Sequence, residues 1–334
     1  MLVYLVNTDR ATTVRHPRDE HALMVRAAGA AGAARHHLVE DAQAADMILF
    51  IGALENGMWP REIWRHPLYR SYPAKCARFS SADRELAWLP GLYAALPARY
   101  GCRAFRGGFW PHVAFPDVSG GPAGPAAGPG GGERPYLYSF VGAFDTHRVR
   151  RRVGRLRDER ALIMDTSAHP GRDHRQSAEV YASFAAVYAE TLTASLFVLC
   201  PRGVGASSIR LFETLRAGRV PVIIADAWTP PHGPDWAACS LRVRERDIAA
   251  IPDLLRRAEP GYPEMAAAAA AAWERFFSVA ALFDYAVDTA AEGLAAAAEG
   301  EAVSRRFRQA ATWRFLRHGA LRAGTAALRG RLAT

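Results

Sequence analysis

Between residues 136 and 225 the chain alternates short apolar runs with helical stretches, and that rhythm leaves few folds open. The runs are Tyr136–Val141, Ala161–Asp165, Leu196–Cys200 and Val220–Ala225. Between them lie helix-compatible segments at Arg148–Asp158, Ala178–Leu192 and Ser208–Ala217. Strands that read as unbroken apolar runs, separated by helices of about 10–15 residues, belong to a parallel sheet covered on both faces. Two more helices are expected at Glu264–Phe277 and Leu282–Ala298. Residues 1–115 repeat the pattern less regularly, with strands at Leu2–Val6 and Met47–Ile51 and a helix around Glu20–Gly29.

Residues 116–135 are almost entirely Gly, Pro and Ala, a composition that holds neither a ladder nor a helix. The chain of 334 residues therefore divides into an α/β unit at 1–115, a linker or surface loop at 116–135, a second α/β unit at 136–300 and a tail at 301–334. Half the residues are hydrophobic and 22% are charged, which excludes a disordered chain. No apolar run approaches the roughly 20 residues of a membrane span. The first residues, Met1 to Asp9, read as a strand rather than a signal peptide.

The net charge of +9 comes from arginine, since Lys75 is the sole lysine. With the abundant Ala, Gly and Pro this is the coding bias of a GC-rich genome. No run of basic residues interleaved with aromatics marks a nucleic-acid surface in the body of the chain. A preference for anionic partners remains. Cys76, Cys102, Cys200 and Cys239 are widely spaced, so neither a zinc site nor a disulfide framework is expected, and a reducing cytoplasm fits.

The chemistry concentrates in Ser195–Ile224. A strand ends at Cys200, a turn follows with Arg202, Gly203 and Gly205, and Ser207 or Ser208 caps the next helix. Free N–H groups at a helix start, two hydroxyls and the forked guanidinium groups of Arg202 and Arg210 suit a diphosphate. Glu213, further along the helix, can accept from two vicinal ribose hydroxyls. It can equally pair with Arg210 or Arg216 on a solvated face. These residues define an anion site without a reaction.

The same segment resembles the signature of the exostosin-like glycosyltransferases, family 47: a Pro-Arg-Gly turn, a Ser-x-Arg helix start, and Phe-x-Glu-Ala-Leu-x-Ala-Gly. Here the last reads Phe212-Glu213-Thr214-Leu215-Arg216-Ala217-Gly218. The likeness extends through Asp226–Pro231, Asp235-Trp236, Glu245–Ile248, Ile251–Leu255 and Trp273–Ser278, and upstream to Phe140-Val141-Gly142 with Arg150. It covers about residues 136–280.

The resemblance implies a GT-B fold, two Rossmann-like domains facing across a cleft, and an inverting transferase with a nucleotide diphosphate sugar donor, UDP-linked by expectation. Arg150, Arg202, Gly203, Ser207, Ser208 and Arg210 would then face the diphosphate and Glu213 the ribose. Such enzymes offset leaving-group charge with arginine and helix N-termini, so no metal or other cofactor is expected. The general base would come from the first, acceptor-side domain. Glu55 and Asp83 are the favoured candidates, with Asp9 a third; family members often carry Asn-His or Asp-His where this chain has Asp83-Arg84. A carboxylate at a strand end is otherwise a helix cap or a surface charge.

Trp228 lies nearest the inferred donor and could stack on a sugar ring; Trp59 and Trp110 fit a core equally well. His169, Asp173 and His174 fall within a Pro/Gly turn and read as surface residues. From Val303 to Thr334 there are eight arginines and no carboxylate, with aromatics interspersed. That tail suits peripheral contact with an anionic membrane, although its apolar residues share no clean helical face. The expected setting is bacterial and cytoplasmic, extending to the inner face of the cell membrane, with a glycan or lipid-linked glycan of a surface polysaccharide as acceptor. The alternative is a catalytically silent scaffold or glycan-binding subunit with the same fold.

Overall fold

A computed structural model describes residues 1–8, 20–30, 35–52, 61–111, 134–169 and 178–299. The first unit contains β1 (Leu2–Asn7), α1 (Glu20–Ala30), β2 (His37–Leu38), β3 (Met47–Ile51), α2 (Arg61–Arg65), α3 (Pro67–Ser71), β4 (Cys76–Ser80), β5 (Gly91–Tyr93) and β6 (Phe105–Gly107). The second contains β7 (Tyr136–Gly142), α4 (Arg148–Val153), β8 (Ala161–Asp165), α5 (Ala178–Thr193), β9 (Ser195–Pro201), α6 (Ile209–Arg216) and β10 (Val220–Ile224). It continues with α7 (Trp236–Cys239), β11 (Leu241–Arg242), α8 (Ile251–Ala258), α9 (Tyr262–Ala272) and α10 (Val279–Ala298).

The strands form two parallel sheets, ordered β2-β1-β3-β4-β5-β6 and β11-β10-β9-β7-β8. This is the α/β architecture of two Rossmann-like units expected of a GT-B protein. Every residue of β3, β4 and β10 is buried, as strands covered on both faces must be.

Two expected helices end differently. The helix beginning at Arg148 stops at Val153, with Gly154 as its C-cap, where the Phe144 ring occupies the space of a side chain. The helix expected to reach Phe277 ends at Ala272 and passes into a wider π turn, Trp273–Phe277, before the chain bends by 65° into α10. Among the described residues no single helix is long and apolar enough to cross a membrane.

The two units share one core. α10, although it follows the second sheet in sequence, lies against α1 and against β4 and β5 of the first. Phe109 joins the layers, its ring centre 5.4 Å from Phe79, 5.0 Å from Phe277 and 5.6 Å from Tyr285. The loop after β10 is tied to the first unit through Ala98 N–H to Ala227 O (2.6 Å) and Thr229 N–H to Leu96 O (3.0 Å). A side chain at Gly107 would collide with the backbone of Thr229 and Pro230, so only glycine allows that approach.

Candidate functional site

In the second sheet β7 leads to β8 at one edge, while β9 lies on its other side and leads on to β10 and β11. Parallel sheets bind ligands outside the carboxyl ends of the strands where the chain changes direction in this way. Those ends are Gly142 and Pro201, and the segments leaving them carry most of the expected site.

The segment from β9 reaches α6 through Arg202–Ser208. Ser208 is the N-cap, with extended φ of −138°, yet its side chain makes no capping bond. Ser207 and Ser208 are 3% and 6% exposed, their hydroxyls are buried without a hydrogen-bond partner, and Arg210 Nε is likewise buried and unpartnered. A buried polar group left unsatisfied costs about 1–3 kcal/mol. Three of them, beside the free N–H groups of a helix start, form a site that an anion would complete.

Arginines surround this start. Arg210 donates from Nη2 to Val141 O, and its guanidinium lies 4.5 Å from the centre of the Phe140 ring and 5.5 Å from that of Tyr188. Arg150 donates from Nε to Arg202 O (3.2 Å) and from Nη1 to Ala143 O (3.3 Å). Arg202 Nε donates to Gly205 O (3.1 Å). Burial, together with the charge of Arg210, draws Arg150 down to a pKa of about 10. It stays charged at neutral pH, and a bound anion would relieve the repulsion. Gly203 makes room for Arg150, since a Cβ there would stand 3.0 Å from Nη2.

Glu213 is buried rather than on a solvated face, and its Oε2 accepts from the Tyr188 hydroxyl. Burial holds the Tyr188 pKa well above the ordinary phenol value, so the group is protonated and donates. The sequence reading missed Tyr188, because a tyrosine within the apolar face of α5 carries no local motif.

Asp83 lies in the loop after β4 and comes to the rim of the arginine cluster. A Cβ on Gly205 would meet Asp83 O at 2.7 Å and Oδ1 at 2.9 Å, and the Asp83 charge favours the protonated form of Arg150. Glu55 and Asp9 lie outside the described residues, as do Trp59, Asp173, His174 and the tail at 301–334.

Trp228 departs from its expected role. It is fully buried in the seam between the units, edge-on to Trp236 at 5.4 Å, so neither ring face is open to a sugar. Trp110 packs against the same core. His169 lies against Phe184, with ring centres 4.7 Å apart. Among the described residues no three His, Cys, Asp or Glu side chains gather as a metal centre requires.

The sequence profile of the Exostosin GT47 domain matches residues 117–258, which include every residue from Arg150 to Glu213 just described. This stretch is similar to an exostosin GT47 domain. It is 47% identical over 70 residues to the exostosin-1 homolog of Caenorhabditis elegans, a stretch covering 20% of this chain and 18% of that protein. It is 28% identical over 135 residues to exostosin-1 of Drosophila melanogaster, covering 36% of this chain and 18% of that one. A probable glucuronoxylan glucuronosyltransferase of Arabidopsis thaliana, IRX7, is 42% identical over 70 residues, covering 20% and 16%. The chain thus spans less than a fifth of the length of the relatives it matches.

Proposed function

We propose that the protein is an inverting glycosyltransferase that moves a sugar from a nucleotide diphosphate sugar to a glycan or glycoconjugate acceptor. The observation that carries this reading is the set of buried, unpartnered groups at the start of α6, Ser207 Oγ, Ser208 Oγ and Arg210 Nε, flanked by Arg150 and Arg202. A diphosphate supplies acceptor oxygens to all of them. Glu213, one helical turn beyond Arg210, takes the ribose hydroxyls. The exostosin domain and the glucuronosyltransferase among the relatives favour a hexosyl or glycuronosyl donor.

In the transfer, an acceptor hydroxyl attacks the anomeric carbon as the bond to the diphosphate breaks. The diphosphate leaves with the bonding pair, and its growing charge falls among the arginines and the α6 N–H groups without need of a metal. The acceptor proton passes to a carboxylate on the first unit, and the nearness of Asp83 to Gly205 and Arg150 supports Asp83 in that role. The composition favours a bacterial polysaccharide as acceptor, whereas the relatives named above are animal and plant proteins.

Calorimetry of the full chain with UDP, GDP, ADP, CMP and pyrophosphate tests the donor site. One nucleoside diphosphate should bind without added metal. Arg202→Ala and Glu213→Ala should each weaken it about tenfold or more, as the loss of one charge-assisted contact requires. Failure of a folded protein to bind any nucleotide would instead support the catalytically silent scaffold.

A further inference from the structure

Tyr188 touches two charged groups at once. Its hydroxyl donates to Glu213 Oε2, and its ring lies 5.5 Å from the Arg210 guanidinium. Arg210 sends Nη2 to Val141 O, so each member of this buried pair has a neutral partner of its own. All three side chains are more than nine-tenths buried, and water is poorly placed to replace the phenol.

The chemistry of a carboxylate gives this contact a consequence. Ionised Glu accepts only, through two oxygens with about four lone-pair positions. A short-range donor on Oε2 stops rotation of the carboxylate about its last torsion and leaves Oε1 aimed in one direction. A ligand that offers hydroxyls there gains a preoriented acceptor; a ligand without them forgoes those bonds. Sites built to hydrogen-bond a substrate hydroxyl reject its deoxy analogue strongly for this reason.

We propose that Tyr188 is the positioning residue that makes Glu213 selective for a ribose diol, so that the site takes ribonucleoside diphosphates and discriminates against their deoxy counterparts. The inference rests on the reading of Glu213 as the ribose acceptor. Tyr188 itself need not touch the ligand. Its position on α5, a different element from α6, fixes the carboxylate relative to the sheet rather than only to its own helix.

The test is calorimetry of the full chain with UDP, 2′,3′-dideoxy-UDP and pyrophosphate, on the wild type, Tyr188→Phe and Glu213→Ala. Wild type should bind UDP at least tenfold more tightly than the dideoxy form, and Glu213→Ala should remove the preference. Tyr188→Phe should lower the UDP/dideoxy ratio threefold or more while pyrophosphate affinity stays within twofold. Should the phenylalanine variant fail to fold, Tyr188→Met also removes the hydroxyl and is read on the UDP/dideoxy ratio alone, because it removes the ring beside Arg210 as well. An unchanged ratio in the Tyr188 variants, with the preference lost in Glu213→Ala, overturns the role of Tyr188 and leaves the donor site standing. So does an equal loss of UDP, dideoxy-UDP and pyrophosphate affinity, which would mark a merely structural tyrosine. No preference in the wild type, or a preference that survives Glu213→Ala, overturns the ribose assignment itself. A wild type that binds none of the three overturns the donor site.

Discussion

Arg210 passes so close to Gly142 that a Cβ on the glycine would stand 2.6 Å from the arginine's Nη2. The last residue of β7 is thus a shelf for a guanidinium, and that guanidinium is held in turn by the Val141 carbonyl and the Phe140 face. Gly142→Ala should displace Arg210 from the start of α6. Diphosphate affinity should fall about tenfold or more, the value of a charge-assisted hydrogen bond. Isothermal titration with UDP reads this directly; unchanged affinity would remove Arg210 from the diphosphate site.

Asp83 and the incoming diphosphate both favour the charge on Arg150. In Asp83→Asn the competing anion is gone, so UDP should bind at least as tightly as to wild type. If Asp83 is the base, the transfer rate should nevertheless fall about 10²–10⁴-fold. Measuring kcat beside UDP affinity separates the two effects, and a normal kcat would move the role of base away from this loop.

The first unit is held by a buried ion pair. Arg78 Nε and Nη2 each lie 2.6 Å from a Glu85 carboxylate oxygen, while Nη1 donates to Phe50 O and Phe79 O and Nη2 also to Gly52 O. Glu85→Ala should cost about 3–5 kcal/mol, because it strands a buried cation. Replacing both residues with leucine should not restore stability, since three buried carbonyls would lose their donor. Urea unfolding of the two variants checks both expectations.

His66 and His147 are the N-caps of α3 and α4, and each accepts from the N–H two residues on through Nδ1, at 3.3 Å. The pKa of each is lowered, by burial at His66 and by burial and then Arg202 at His147. An imidazole depressed in the folded state binds fewer protons there than in the unfolded chain. Stability should therefore decline as pH falls below the ordinary histidine value of about 6.5. Asparagine caps a helix without titrating. His66→Asn with His147→Asn should flatten the slope of unfolding free energy between pH 6.5 and 5, measured against wild type.

The second sheet was legible because β7, β9 and β10 are covered on both faces and read as continuous apolar runs. In the first sheet β1 and β3 were legible in the same way, and the remaining strands were not. β4 carries Arg78 in its middle, a residue buried only because Glu85 pairs with it from the following loop. β5 and β6 are three residues each and include glycines whose role is close backbone contact. In the site, Arg202, Gly203, Ser207, Ser208, Arg210 and Glu213 lie on one continuous segment and could be named from it, whereas Arg150 came only from the family resemblance. Tyr188 could not be named, because its bond to Glu213 joins residues 25 positions apart on two helices. The burial of Trp228 was not legible, because nearness in sequence to the donor segment does not tell whether a ring lines a cleft or enters the core.

The return of α10 to the first sheet bears on how this protein can be dissected. Leu282, Phe283, Ala286, Val287 and Ala290 are all buried, in a cluster shared with Val3 and Leu49 of one unit and Phe212 of the other. A fragment cut to the 142 residues of the exostosin match would lose this helix and bare the apolar floor beneath α6 to water. The stretch that relates this chain to its kin is therefore not a transplantable module; a chimera that borrows its donor pocket must also carry the N-terminal sheet and the long closing helix.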